Sequence, residues 1–248
     1  MANSIEDLLK RRGAWLKGTG GDRQLASARA GLTRRIAEHY PVFEQLRDHV
    51  LHGTAELEHA EHRRLAADLI DYMEDLGLVT CEQTGKPTPH VAGKRFMSGG
   101  WLEELAYLAA VEAGAHEALF GQSVGWSVGD YGGENEIDLI VRRDDMLGFV
   151  SCKALRSVLN TEDRKQRNRL MDAVHEADNL ADHFGRPGER VAVLVTTDLH
   201  DEMRGVPRYT ALMGKAAVLD VRIIPLEELG WDRLVQALSQ LWSDRNGK

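Results

Sequence analysis

A chain of 248 residues, 43% apolar and 28% charged, has enough material for one large or two small domains of a soluble globular protein. Its net charge of -8 argues against nucleic acid coating the whole surface, and its apolar runs are far shorter than the roughly 20 residues that span a bilayer. The first ten residues have no signal-peptide core, and Cys81 and Cys152 belong to no CxxC or Cys/His cluster. We therefore expect a cytoplasmic protein without a disulfide framework or structural zinc.

Residues 1 to about 77 are predicted to form one helix after another. Ser4 followed by Asp7 is a variant of the capping box and marks the start of the first helix. Between Ala55 and Leu76, apolar residues recur at helical spacing, and Gly77 supplies a C-terminal stop.

Two short apolar pieces between residues 78 and 96 flank a turn at Thr84–Pro87 and predict a small hairpin. Helices followed by a hairpin resemble a winged helix-turn-helix, for which nucleic-acid reading and mere packing or dimerisation are both open. His59 and His62 share a helix face but have no third metal ligand at a suitable spacing, which favours a solvated helix surface.

From Gly99 the pattern changes to alternating helices and strands. Early strands of an antiparallel kind and later, fully apolar strands indicate a mixed α/β sheet flanked by helices. We therefore divide the chain into a helical, winged-helix-like region (1–98) and an α/β domain (99–248). The predicted elements of the second part are a helix from Trp101 to about Ala113, strands at Leu119–Val128, Glu136–Arg142 and Leu147–Lys153, a helix from about Glu162 to His183, a strand at Val191–Thr196, a helix through Leu212, a strand at Val221–Pro225 and a helix ending near Trp242.

The register of one predicted hairpin decides which polar side chains meet. If Asp144–Asp145 is a two-residue turn, Asp138 lies opposite Ser151; a turn one residue later places it opposite Lys153. In both cases Asp138, Ser151 and Lys153 share one face, whereas an odd-length turn would put Cys152 opposite. Taken alone, Asp138 and Lys153 could be merely a cross-strand ion pair.

The helix before this hairpin offers a second acid. Glu103 follows Gly99, Gly100 and Trp101, and its apolar neighbours can hold the helix against the sheet. Glu103 and Glu104 point along different flanks of the helix, so only one of them can face the hairpin.

Three short motifs carry a family resemblance: Gly-Gly-Trp-Leu-Glu (99–103), Asn-Glu-Ile-Asp (135–138) and Ser-Cys-Lys (151–153). They resemble the PD-(D/E)XK nuclease portion of CRISPR ancillary effectors in which an amino-terminal CARF domain senses cyclic oligoadenylate. The segment at 4–13 is similar to the stretch that follows CARF in those proteins. The resemblance implies a restriction-endonuclease-like fold.

Two departures from the family are visible. No CARF domain is expected, since one would need well over a hundred residues before Ser4, so a separate sensor or regulatory protein is one possibility. Ser151 also stands where the family has Glu, which removes one metal-binding carboxylate.

The resemblance implies an Mg²⁺ or Mn²⁺ site for phosphodiester hydrolysis. Asp138 is expected to be the central metal ligand, Glu103 a direct or water-mediated ligand, and the backbone carbonyl of Cys152 a further one. Lys153 is expected to orient the attacking water and to offset phosphoryl charge. Some restriction endonucleases also have Ser at the position of Ser151, with an acid recruited from the helix after the lysine strand.

On that helix, Glu162 and Asp163 rank ahead of Asp172 as the recruited acid, and Glu176 is a further candidate. Glu162 and Asp163 could equally be ordinary acids at a helix start. The same segment is basic and is expected to grip a DNA or RNA backbone, with a solvated helix face as the alternative. Its cations are Arg156, Arg164, Lys165, Arg167 and Arg169.

The favoured hypothesis is a metal-dependent endonuclease of antiviral defence. A pseudonuclease that binds nucleic acid or a partner protein, and a purely structural dimerisation module, are the alternatives. A homodimer is expected, because the amino-terminal helices carry more apolar surface than one small bundle needs.

Overall fold

A six-stranded mixed sheet forms the centre of the protein in a computed structural model, which describes residues 3–54, 59–81 and 86–243. The strands of this part of the chain are β1 (Ala14–Lys17), β2 (Val79–Cys81), β3 (Pro87–Pro89), β4 (Glu117–Val128), β5 (Tyr131–Arg143), β6 (Met146–Lys153), β7 (Arg190–Val195), β8 (His200–Asp201), β9 (Val206–Pro207) and β10 (Val221–Ile224).

Helices pack against both faces of this sheet. They are α1 (Ile5–Lys10), α2 (Arg23–Ala28), α3 (Ala30–Glu38), α4 (Tyr40–His52), α5 (Ala60–Asp75), α6 (Val91–Arg95), a π-helical turn (Phe96–Gly100), α7 (Trp101–Glu112), α8 (Arg164–Phe184), α9 (Thr210–Val218), a 3₁₀ turn (Leu226–Glu228) and α10 (Trp231–Ser243).

The strand order β1-β4-β5-β6-β7-β10 combines two kinds of pairing. From β1 to β6 the neighbours are antiparallel, and β6, β7 and β10 are parallel. The parallel strands are covered on both sides, which explains why Val191–Val195 is apolar without alternation. The predicted mixed sheet flanked by helices is confirmed.

Two apolar cores lie on opposite faces of the sheet. The larger core contains side chains of α3, α4, α5, α7 and α10, and the smaller contains those of α1, α8 and α9. Residues from before and after position 99 contribute to both cores. The two predicted regions, 1–98 and 99–248, thus share one sheet and two cores. The division of the chain at this point stays a prediction.

The expectation of uninterrupted helices before residue 77 is wrong at Ala14–Lys17. This segment is β1, the edge strand of the main sheet, paired with β4 from Ala14–Trp126 to Lys17–Ser123. Four residues are too few to show a strand pattern, and their partner lies more than a hundred positions away. The capping box of Ser4 and Asp7 at the start of α1 is confirmed.

The predicted hairpin after the amino-terminal helices is formed by β2 and β3, which are antiparallel. Thr84 and Gly85 of its turn, and residues 55–58 of the preceding predicted helix, lie outside the described residues; the described helix, α5, begins at Ala60. Nucleic-acid reading by this part stays a prediction.

The helix predicted to run through Leu212 is also misplaced. A small hairpin of β8 and β9 occupies this segment, and α9 runs from Thr210 to Val218. The hairpin turns at Gly205, whose φ of 64° is left-handed and whose N–H donates to Asp201 O at 2.7 Å.

Among the described residues, no helix is long and apolar enough to cross a membrane.

A buried ion pair ties the amino-terminal segment to the parallel part of the sheet. Both terminal nitrogens of Arg12 contact the Glu189 carboxylate at 2.6 Å, and these side chains are only 6% and 2% exposed. Glu189 also accepts a hydrogen bond from Leu147 N at 2.8 Å. Arg12 thus offsets a carboxylate that would otherwise be buried without a countercharge.

We expect Arg12→Ala to lower the free energy of unfolding by about 3 kcal/mol, because it leaves the Glu189 charge buried and unpaired. Urea denaturation measures this loss. The matched control is Arg11→Ala, which removes an exposed arginine and should cost less than about 1 kcal/mol. Equal small losses for both variants would contradict the assigned role of the buried pair.

Candidate active site

The β5–β6 hairpin has the first of the registers that the sequence allows. Arg143 pairs with Met146 and Leu139 with Val150, so Asp144–Asp145 is the turn and Asp138 comes opposite Ser151. Ser151 Oγ donates to Asp138 Oδ2 at 3.2 Å, and the N–H of Cys152 donates to the same oxygen at 2.6 Å. The registers that would place Lys153 or Cys152 opposite Asp138 are wrong.

Gly121 lies opposite Asp138 on the other side of β5. Its neighbours Phe120 and Gln122 pair with Leu139 and Ile137, and Gly121 itself has a left-handed φ of 56°. A Cβ at this position would lie 3.3 Å from Glu103 Oε2. Glycine therefore satisfies both the backbone conformation and the space that the Glu103 carboxylate occupies.

At this pair the alternation of side chains between the two faces of the sheet is interrupted in both strands. Phe120 lies in the larger core, whereas Val124, also an even position of β4, lies in the smaller one. In β5, Leu139 and Ile137 differ in the same way. This irregularity lets Asp138 accept hydrogen bonds from β6 while its charge acts on Glu103, which belongs to a helix on the larger-core face.

That helix is α7, which supplies Glu103. Trp101, Leu102 and Leu105 are fully buried and hold the first turns of α7 in the larger core. Glu104 points elsewhere and pairs with Arg29 at 2.9 Å. Of the two adjacent acids, Glu103 is thus the one that approaches the hairpin.

Burial perturbs both acids of the site, and a neighbouring carboxylate adds to its effect on Glu103. Burial, followed by the charge of Asp138, raises the pKa of Glu103 to about 7. Burial also raises the pKa of Asp138, although the Cys152 N–H and the charge of Lys153 act in the opposite direction. Two carboxylates held this close in a poorly solvated place favour a shared cation.

Lys153 Nζ forms an ion pair with Glu176 Oε2 of α8 at 2.6 Å. Burial would lower the pKa of Lys153, but the hydrogen bond that its ammonium donates to Glu176 and the charges of Asp138 and Glu176 outweigh burial and raise the pKa. Glu176 is therefore a partner of the lysine in this structure.

Glu162 and Asp163 instead form the start of α8. Asp163 is its N-cap, and its side chain accepts from Lys165 N at 2.8 Å and Gln166 N at 3.3 Å. Glu162 is exposed. The structure gives neither residue, nor Asp172, a hydrogen bond with Asp138, which leaves their recruitment as metal ligands a prediction.

Two residues that the sequence analysis did not single out contribute charge to the site. Glu136 raises the pKa of both Glu103 and Asp138, and Arg95 lowers that of Glu103. Glu136 stands two positions before Asp138 in a strand, which was a usable signal. Nothing in the sequence indicates that Arg95 comes near.

The predicted nucleic-acid contacts have different surroundings. Arg156 pairs with Asp48 at 2.8 Å and Glu44 at 3.3 Å on α4. Arg167 donates to the carbonyl of Thr161. The three other cations of this stretch are exposed on α8: Arg164, Lys165 and Arg169.

The donor set suits a hard divalent ion but is small. Glu103 and Asp138 offer carboxylate oxygens, and both hydrogen bonds to Asp138 use one oxygen, Oδ2. Within the ranges that the structure describes, no three or more His, Cys, Asp or Glu side chains are grouped so that they could hold a metal. The fit is thus to two carboxylates completed by backbone or water oxygens.

Solved structures share this fold. The crystal structure of protein VC1899 from Vibrio cholerae matches with a TM-score of 0.67 and 19% identity over 96% of this chain and 61% of that one. Can2 from Sulfobacillus thermosulfidooxidans, solved in complex with cyclic tetra-adenylate, matches with a TM-score of 0.59 and 14% identity over 98% of this chain and 62% of that one. The chain thus spans about three fifths of the length of either structure.

No curated protein matches the sequence. Residues 91–233 match the family described as Card1-like, endonuclease domain. This segment is more than half of the chain and contains Glu103, Asp138 and Lys153 together with the strands and helices that position them. The chain therefore belongs to the family of Card1-like endonuclease domains.

Proposed function

We propose that this protein is a metal-dependent endonuclease that hydrolyses phosphodiester bonds of DNA or RNA. The observation that carries the proposal is the approach of two partly buried carboxylates, Glu103 and Asp138, next to Lys153 on the hairpin of an endonuclease family. The family and the likeness to Can2 support a role in antiviral defence of the CRISPR type.

Glu103 and Asp138 would hold Mg²⁺ or Mn²⁺. The carbonyl of Cys152 would assist, since in an antiparallel pair a residue's N–H and C=O point to the same neighbouring strand. The bound ion supplies Lewis-acid charge on the phosphate and lowers the pKa of water.

The other roles in the reaction would belong to side chains of the protein. Lys153 would hold the attacking water and offset the negative charge that develops on the phosphoryl oxygens. Its ion pair with Glu176 limits the rotamers of the long side chain and keeps the ammonium near Asp138. Hydrolysis forms one bond from water oxygen to phosphorus and breaks one to the leaving nucleotide oxygen, which takes a proton.

The exposed cations on α8 would contact the nucleic-acid backbone without reading sequence. Arg156 is a weaker candidate for this role, because two carboxylates of α4 already neutralise it. Recognition of a regulatory signal by a separate protein is compatible with this arrangement.

Ser151 supports a second candidate function, a pseudonuclease that binds nucleic acid or a partner protein. Its hydroxyl donates to Asp138 rather than adding negative charge, which leaves Glu103 and Asp138 as the carboxylates nearest the expected ion. A smaller ligand charge weakens divalent-ion binding.

Replacement of Glu103 tests the metal site without any substrate. The folded-state pKa of Glu103 is about 7 and its ordinary value is 4.5, so folding is disfavoured as pH rises from 4.5 through 7. Glu103→Gln should therefore raise the free energy of unfolding at pH 8 by about 2 kcal/mol and have little effect at pH 4. Thermal unfolding at both pH values measures the difference.

Millimolar Mn²⁺ should make the wild type more stable than Glu103→Gln at pH 8. The ion stabilises the wild type through two carboxylates, one of which is missing in the variant. Glu112→Gln, an exposed acid at the other end of α7, is the matched control and should respond to neither change. Identical Mn²⁺ shifts for wild type and Glu103→Gln would argue against Glu103 as a ligand.

Ser151→Glu distinguishes an enzyme from a pseudonuclease. The added carboxylate should tighten Mn²⁺ binding and increase cleavage of single- or double-stranded DNA or RNA, whereas Asp138→Asn should abolish cleavage. Gel assays with all four substrates measure both effects. If only Ser151→Glu cleaves, the natural protein is a pseudonuclease; if neither does, the proposed endonuclease is wrong.

A homodimer stays a prediction. Light scattering at micromolar concentration should give twice the chain mass of 27.6 kDa. A mass of one chain would refute it.

A further inference from the structure

We propose that Arg95 binds the phosphate that is cleaved, so that its guanidinium and Lys153 hold the substrate anion from two sides. This inference rests on the proposed endonuclease function, which it deepens by assigning the anion-binding side chain. Arg95 was not among the cations that the sequence suggested.

The first argument is position. The point where a Cβ of Gly121 would lie is 3.7 Å from Arg95 Nη2 and 3.3 Å from Glu103 Oε2. Gly121 is opposite Asp138 in the sheet. The Arg95 guanidinium and the Glu103 carboxylate therefore meet over one glycine, together with the backbone nitrogen of Gly21 at 3.6 Å, and this glycine is the neighbour of Asp138 in the sheet.

The second argument is availability. Arg95 is exposed, and among the described residues its side chain has no hydrogen bond or ion pair at contact distance, although its charge lowers the pKa of Glu103 and Glu104. Lys153, by contrast, is in contact with Glu176 at 2.6 Å, which offsets its charge. Of these two cations, Arg95 is the one whose guanidinium has no carboxylate in direct contact and can turn toward an incoming anion.

The third argument is that the backbone of Arg95 is firmly placed. A Cβ on Gly93 would lie 1.9 Å from the carbonyl oxygen of Leu78, so glycine lets α6 pack directly on the chain before β2. Phe96 and Met97, which follow Arg95, are buried in the larger core. Ordering on anion binding is thus confined to the side chain, and the backbone needs no rearrangement.

The chemistry fits a phosphodiester. Arginine presents planar, paired N–H donors that match two phosphate oxygens, and it stays charged at every pH of interest. Cations that contact transferring phosphoryl groups stabilise the charge of the transition state. With Glu103 and Asp138 occupied by a divalent ion, Arg95 would face the phosphate and not the acids.

The experiment compares Arg95→Ala, Arg95→Lys and Arg186→Ala with the wild type. Arg186 is an exposed arginine before β7, at the end of the parallel strands opposite to Lys153, and serves as the control. We expect Arg95→Ala to lower kcat about 100-fold with a smaller change in KM, Arg95→Lys to restore part of it, and Arg186→Ala to match the wild type. Unchanged thermal unfolding of Arg95→Ala would exclude a folding defect.

A second measurement keeps the inference testable if the wild type cleaves nothing, an outcome that refutes the endonuclease but not the anion site. A short single-stranded oligonucleotide with Ca²⁺ in place of Mg²⁺ is titrated at several salt concentrations. Arg95→Ala should bind the oligonucleotide several-fold more weakly. The slope of its binding constant against salt concentration, on logarithmic axes, should fall by about the value expected for one phosphate contact. Wild-type kcat and wild-type binding in Arg95→Ala would overturn the proposal.

Discussion

The site depends on one constraint: two carboxylates, Glu103 and Asp138, are held together in a partly buried place where the charge of Asp138 disfavours ionisation of Glu103. The fold holds them there because α7 is fixed by Trp101 and because the Cys152 N–H donates to Asp138. Without a cation the arrangement costs free energy, since the pKa of Glu103 rises to about 7. Both causes of that rise, the burial of Glu103 and the charge of Asp138, favour binding of a divalent ion, which offsets them.

The amino-terminal helices also help to position the segment next to the site. Tyr40 Oη donates to Leu155 O at 2.6 Å, and Glu44 accepts from Ser157 N and Oγ at 3.0 and 2.6 Å. These contacts hold the loop that directly follows the lysine strand. Arg156 completes the network through Glu44 and Asp48, which explains why a cation next to the site faces protein and not solvent alone.

Local patterns sufficed to predict the main sheet from β4 onward, but they left several registers open for the β5–β6 hairpin, of which the structure has the one with a turn at Asp144–Asp145. They failed for β1, whose pairing is non-local, and for the β8–β9 hairpin. Glu103, Asp138 and Lys153 were found through their motifs. Arg95 could not be predicted from the sequence, because only the tertiary packing of α6 brings it over Gly121.

Ser151 shows how a single substitution acts through its neighbours. A Glu at this position would place another negative charge beside Asp138, whereas the serine hydroxyl stabilises the Asp138 carboxylate by a hydrogen bond. Glu136, on the exposed part of β5, adds a negative charge that raises the pKa of both Glu103 and Asp138. Because Glu136 is exposed, solvent weakens its influence on a bound ion. The balance between the screened charge of Glu136 and the unfavourable burial of Glu103 beside Asp138 therefore decides how tightly a divalent ion would bind at this hairpin.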